Sequence, residues 1–306
     1  MSFYELDGGA RGTFVSYDAY AQKQTPYYWR WLAVFVLMLI ILVGGAAAKT
    51  LTSVEQASIE LPAIVSGGPQ PAQQTPLVAA ATDRSPELQT ALETWQAKQK
   101  DSEWAFYVHS LENDELEVGV DDEKPFALAS IYKLFLIKPL AKKIPTEAWA
   151  NTNVSERSYL ACVQAMLSVS DNACAEAIAG NLGWSAIHRQ NRSDGYQSTV
   201  FNRADSLVGS AADTGLLLDR LFSGDGYDAK TKEIALEALS KTKRTEAIRG
   251  ACPGCTVYNK TGDFSGVRHD AALVQKDGKS YVVVIFSKGA QWKQLSDAAE
   301  LIVPYL

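Results

Sequence analysis

Histidine is scarce in this 306-residue chain: only His109, His188 and His269 occur, and their positions show no metal-ligand spacing. A resident metal is therefore not expected. Positive charge is also in deficit, with 29 Lys and Arg against 35 Asp and Glu and a net charge of −6. No basic stripe is available to neutralise phosphates, which excludes a general nucleic-acid binder. The sequence has no internal repeat and no low-complexity tract beyond one linker. Between Lys49 and Arg84 there is no basic residue at all.

What is present begins with apolar mass. At 47% hydrophobic residues the chain can bury a sizeable core, enough for one large domain plus extra segments. Residues 31–48 carry no charge and are bracketed by Arg30 and Lys49. As a helix that stretch spans ~27 Å, close to the hydrocarbon thickness of a bilayer. Tyr27, Tyr28, Trp29 and Trp31 crowd its start as an interfacial aromatic belt would. Arg11, Lys23 and Arg30 precede it, a bias toward a cytoplasmic N-terminus and an exported remainder. A cleavable signal peptide is the rival, because Ala46-Ala47-Ala48 resembles a cleavage site; the polar lead of 30 residues is long for one. The expected organisation is a cytoplasmic tail (1–30), a transmembrane helix (31–48), a linker containing Pro, Gly and Gln (49–83) and a folded domain (84–306).

Ser85-Pro86-Glu87 reads as a helix start, continued on one face by Leu88, Leu92 and Trp95. Strand-like runs at 104–111 and 115–120 are joined through Glu112-Asn113-Asp114. Three more follow much later, at 256–261, 267–275 and 280–287. A mostly helical stretch, about 130–249, lies between the two groups, and 291–305 closes the chain as a helix. The pattern predicts an α+β domain: an antiparallel five-stranded sheet flanked by helices, with an all-helical lobe inserted.

Three motifs carry chemistry. Ser130-Ile131-Tyr132-Lys133 opens an apolar run that reads as a buried helix, and residues at i and i+3 share a face. Ser130 is the candidate nucleophile and Lys133 its base, provided burial or a second cation such as Lys260 lowers the lysine pKa. Ser170-Asp171-Asn172 sits between two helical segments. Ser170 can relay a proton, and Asn172 can bind substrate or Lys133. Lys260-Thr261-Gly262 reads as a strand end, with Lys260 and Thr261 able to hold a carboxylate and Gly262 allowing close backbone approach. The Asp263 N–H, with that of Ser130, can complete an oxyanion hole. Another match, Ser240-Lys241-Thr242-Lys243, leads into no apolar helix and is set aside.

All four cysteines follow the apolar segment, which fits an oxidising compartment. A Cys162–Cys174 bond would clamp the turn presenting Ser170. Cys252 and Cys255 frame a Cys-x-x-Cys that leads into a strand rather than opening a helix, which favours a second structural bond over a redox site.

The three motifs in this order, the split sheet and the inserted lobe resemble the penicillin-recognising serine acyl-transferases, in particular the class A β-lactamases. The resemblance covers roughly 84–306. It implies that Ser130 forms an acyl-enzyme with a β-lactam or a D-Ala-D-Ala cell-wall peptide, with Lys133 as base, Ser170 as relay and Lys260 with Thr261 as carboxylate anchor. It also implies a carboxylate-binding arginine on the following strand, where Arg268 and His269 compete and strand alternation admits one. The sequence departs from the family at 199–210, where a glutamate would activate the deacylating water: the stretch has none, and Asp205 is its only carboxylate. The expectation is a membrane-anchored, extracytoplasmic, monomeric serine hydrolase without cofactor, slow to deacylate. The alternatives are a D-Ala-D-Ala carboxypeptidase or transpeptidase, or a non-catalytic penicillin-binding sensor module.

Overall fold

Both faces of the sheet are covered, and the sequence of its central strand says so. The computed structural model of the protein describes residues 85–112, 116–201 and 207–306. The expected tail, transmembrane helix and linker lie outside the described residues, as do Asn113 and Asp114 of the first strand connection, and Asp205. No described helix is long and apolar enough to cross a membrane.

In chain order, helix α1 (Ser85–Gln96) leads into strands β1 (Glu103–Ser110), β2 (Glu117–Val120) and β3 (Phe126–Ala127). The lobe follows, with a 3₁₀ segment (Ala129–Leu136) and helices α2 (Ile137–Lys143), α3 (Tyr159–Ser168), α4 (Asn172–Leu182) and α5 (Trp184–Ser193). Strands β4 (Val200–Phe201) and β5 (Leu207–Gly209) interrupt it before α6 (Ala211–Ser223), α7 (Ala229–Ser240) and the short α8 (Ile248–Ala251). Strands β6 (Thr256–Phe264), β7 (Val267–Lys276) and β8 (Lys279–Lys288) return to the sheet, and α9 (Trp292–Ile302) closes the chain.

The main sheet runs β2-β1-β8-β7-β6, antiparallel throughout. Its first two strands precede the lobe and its last three follow it, so β1 pairs with β8 across the whole insertion. On β8 the alternation puts Val282, Val284 and Phe286 against the lobe and Tyr281, Val283 and Ile285 against the terminal helices. Burial on both faces explains the unbroken apolar run, which a half-solvated antiparallel strand would not need. On the second face Leu88 and Leu92 of α1 join Leu295, Ala298, Ala299 and Ile302 of α9. Helix α6 lies on the other face at Gly215, where an added Cβ would overlap the Tyr107 ring. Only glycine permits that approach.

The structure amends the expected elements at three points. The Lys260 motif lies within β6, which continues through Asp263 and Phe264 to a tight turn into β7. The Ser130 run is a 3₁₀ segment that becomes α-helical only at Ile137. The lobe is not all helical: it carries β4 and β5, which with β3 form a second sheet, β3-β5-β4, unpredicted because strands of two or three residues are too short to display alternation.

Candidate active site

The 3₁₀ geometry matters for the first motif. With three residues per turn, side chains at i and i+3 eclipse, which brings Ser130 and Lys133 together. Lys133 Nζ lies 3.1 Å from Ser130 Oγ. The same Nζ donates to the Ser170 carbonyl and to Asn172 Oδ1, each at 2.7 Å. Both are pure acceptors. A neutral Lys133 that keeps these two bonds has its lone pair left for the Ser130 hydroxyl. Its side chain is buried, and burial lowers its pKa to about 8 against the opposing pull of Asp171 and Glu176.

Two residues flank this contact in left-handed backbone, Ala129 (φ 45°) and Ser170 (φ 58°). Non-glycine residues adopt that region at a cost of about 1–3 kcal/mol, and such strain gathers at functional sites. The turn holding Ser170 is fixed from several sides. Asp171 caps α4 by accepting from the Cys174 N–H at 2.9 Å, and Arg157 pairs with it at 3.1 Å. The Cys162–Cys174 disulfide joins α3 to α4 behind it.

Lys260 approaches from β6, its Nζ 2.5 Å from Ser170 Oγ and 2.8 Å from the Thr261 carbonyl. It is 1% exposed. Burial, reinforced by the charge of Lys133, brings its pKa down to about 7. At Lys133 itself burial, rather than the neighbouring cation, is the leading cause of the shift. Gly262 brings β6 against the segment that carries Ser130, since a Cβ there would lie 3.0 Å from the Leu128 carbonyl and 3.2 Å from Ala129 Cβ. Behind the strand, Arg249 Nη2 donates to the Val257 carbonyl at 2.8 Å and to Asn259 Oδ1 at 2.9 Å. Asn259 in turn donates to Asp270 at 2.9 Å. The Cys252–Cys255 disulfide immediately precedes β6.

The geometry separates Arg268 from His269. His269 is fully buried, between Phe126 and Phe286. The Ser287 N–H donates to its Nδ1 at 3.2 Å, so Nε2 carries the proton and donates to the Ala127 carbonyl at 2.8 Å. Burial pushes its pKa down to about 4. It braces the backbone leading to Ser130 and presents nothing to a ligand. Arg268 lies on the other face of β7, half-buried and opposite Asp263, with Nη1 donating to the Ala290 carbonyl at 2.5 Å.

Ser130, Ser170, Thr261 and Asp263 line one cavity of about 370 Å³, together with Arg244 and Glu246. Arg244 stacks on Trp292, with 4.4 Å between guanidinium carbon and ring centroid, and neither was anticipated at the site. Neither belongs to a motif; Arg244 follows the end of α7 and Trp292 opens α9. Among the described residues no cluster of His, Cys, Asp and Glu could hold a metal ion.

The model of the beta-lactamase enzyme family matches residues 145–303, a stretch that begins after Lys133. No curated protein matches the chain. Among solved structures, PBP-A is 18% identical with a TM-score of 0.64, over 72% of this chain and 95% of that one. A variant of PBP-A, an acyl-enzyme complex with penicillin G, gives 18% and 0.66 over 73% and 98%. A class A beta-lactamase from Mycobacterium abscessus gives 20% and 0.63 over 71% and 98%. At such identities the likeness is one of fold.

Proposed function

The chain belongs to the beta-lactamase enzyme family, and we propose that Ser130 is acylated by β-lactams or D-Ala-D-Ala peptides and gives up the acyl group slowly. The observation that carries this is the Lys133 amine, buried and 3.1 Å from Ser130 Oγ, with its other acceptors already assigned. Neutral Lys133 takes the hydroxyl proton as Oγ attacks the carbonyl carbon. The Ser130 and Asp263 N–H groups receive the oxyanion. Ser170 donates its proton to the departing nitrogen and is resupplied from protonated Lys260, which with Thr261, Gly262 and Arg268 also anchors the substrate carboxylate. Asn172 binds the acyl side while holding Lys133. The acyl-enzyme then needs an activated water, and 199–210 offers Asp205 in place of a glutamate.

That substitution favours one second reading, a D-Ala-D-Ala carboxypeptidase or transpeptidase that penicillin traps. The uncharged run at 31–48 supports an anchor that holds this domain outside the cytoplasm. Intact mass of the chain over time with penicillin G, beside Ser130→Ala, tests the chemistry. A persistent adduct on Ser130 is expected. An adduct that clears within seconds refutes slow deacylation, and absence of any adduct refutes the acylation itself.

A further inference from the structure

The cleft contains a carboxylate of its own. Asp263 lines the cavity beside Ser130 and Thr261, and donors from three separate elements converge on it. Trp292 Nε1 donates to Oδ2 at 3.1 Å. Arg244 Nη2 lies 3.9 Å from the same oxygen, and Arg268 Nε lies 4.0 Å from Oδ1. Arg268 Nε is buried with no hydrogen-bond partner. Arg244 also meets Glu246 at 3.3 Å. Neither arginine closes on Asp263 at the ~2.8 Å of a bidentate pair. Both therefore keep capacity for a second anion, yet their positive field is already divided.

Thr261 and Asp263 are two residues apart on β6 and so share one face of the strand. A donor whose carboxylate sits on Lys260 and Thr261 must place it next to Asp263. Like charges so close repel, and the arginines that would offset the repulsion are shared with Asp263 and Glu246. We infer that Asp263 sets the charge preference of the cleft: it competes with a substrate carboxylate for Arg244 and Arg268, and so weakens the site's preference for acyl donors with a free carboxylate over those whose corresponding end is neutral. This rests on the proposed function for the place of the substrate and adds what tempers the site's choice of donor.

The test separates binding from acylation. In a Ser130→Ala background, the affinities of penicillin G and of its methyl ester are measured by ligand-observed NMR titration, with and without Asp263→Asn. The acid-to-ester affinity ratio should rise about two- to fivefold in Asp263→Asn at low ionic strength. The gain should shrink in ~0.5 M salt, which screens charge but not shape. Arg268→Gln should move the ratio the other way. Asp263 is part-exposed, and Asp263→Ala serves if the Asn variant fails to fold. A ratio that stays put, or moves toward the ester, overturns the inference alone and makes Asp263 a brace for the two arginines. Failure of both ligands to bind overturns it together with the proposed substrate class.

Discussion

Acylation of Ser130 should lose about tenfold in rate for each pH unit below about 7, because only neutral Lys133 can accept the hydroxyl proton. With a pKa of about 8, about one Lys133 in ten is neutral at pH 7 and about one in a hundred at pH 6. An ordinary lysine near 10.5 would be neutral about three times in ten thousand at pH 7, so burial raises the competent fraction about 300-fold. The assay is the second-order rate constant for penicillin G acylation, from quenched intact mass at fixed ionic strength across a range of about pH 5.5–9.5; that constant reports the ionisations of the free enzyme. Asp171→Asn adds a signed control. Asp171 pulls the Lys133 pKa up, so its removal should raise the neutral fraction of Lys133 and the acylation rate below about pH 7, while Asn still caps α4. A flat profile between about pH 6 and 8, or a limb centred above about 10, would refute the assignment of Lys133 as base.

Three further outcomes are expected. Lys260→Met should abolish efficient acylation yet raise stability at neutral pH by about 2 kcal/mol, since a lysine brought from 10.5 to about 7 by burial opposes folding by about 4 kcal/mol and the loss of its bonds to Ser170 and the Thr261 carbonyl offsets about half of that; a lowered Tm would contradict this. The sign is that of a depressed lysine: the unfolded chain binds the extra proton between about 7 and 10.5, so that contribution grows less adverse as pH rises. His269 and Asp270 should largely cancel in acid. His269, held at about 4, removes about 3 kcal/mol of stability as pH falls from 6.5 to 4, while Asp270, raised to about 6 chiefly by burial, returns about 2 kcal/mol. Denaturant titrations should therefore show the stability of wild type relative to Asp270→Asn growing by about 2 kcal/mol between about pH 6.5 and 4, and a constant gap would count against it. Replacing Cys162 and Cys174 with serine opens a link across a sequence separation of 12 and should cost about 2–3 kcal/mol, with acylation slowed because the Ser170 turn loses its clamp; unchanged thermal melting would be the contrary result.

The sheet was legible because its strands are long. Runs of eight to ten residues such as β1, β7 and β8 register clearly, whereas the two residues of β3 or β4 carry no period. The motif residues were legible as types but not as a geometry. Nothing in Ser130-Ile131-Tyr132-Lys133 announces a 3₁₀ turn, and only the fold brings Ser170 and Asn172 to within 2.7 Å of Lys133. The choice between Arg268 and His269 also needed the tertiary partners. Alternation says the two diverge; the aromatic packing of Phe126 and Phe286 around His269 says which one is core. Arg244 and Trp292 escaped because a cation stacked on an aromatic ring from another element leaves no local signature.

The site is costly to assemble, and the surrounding structure is arranged accordingly. Two lysines are buried side by side, and two residues next to them hold left-handed backbone. Each of these opposes folding, and each serves the proposed chemistry: a depressed lysine can act as a base, and the strained turns set Ser130 and Ser170 beside the two lysines. The restraints lie directly behind. The Asp171 cap, its Arg157 pair and the Cys162–Cys174 bond hold the Ser170 turn, while Arg249 and Asn259 hold β6 beneath Lys260. His269 does the same for the backbone entering Ser130. Functional side chains and their supports therefore form two layers of opposite character. Substitutions in the inner one should trade activity for stability, and substitutions in the outer one should lose both.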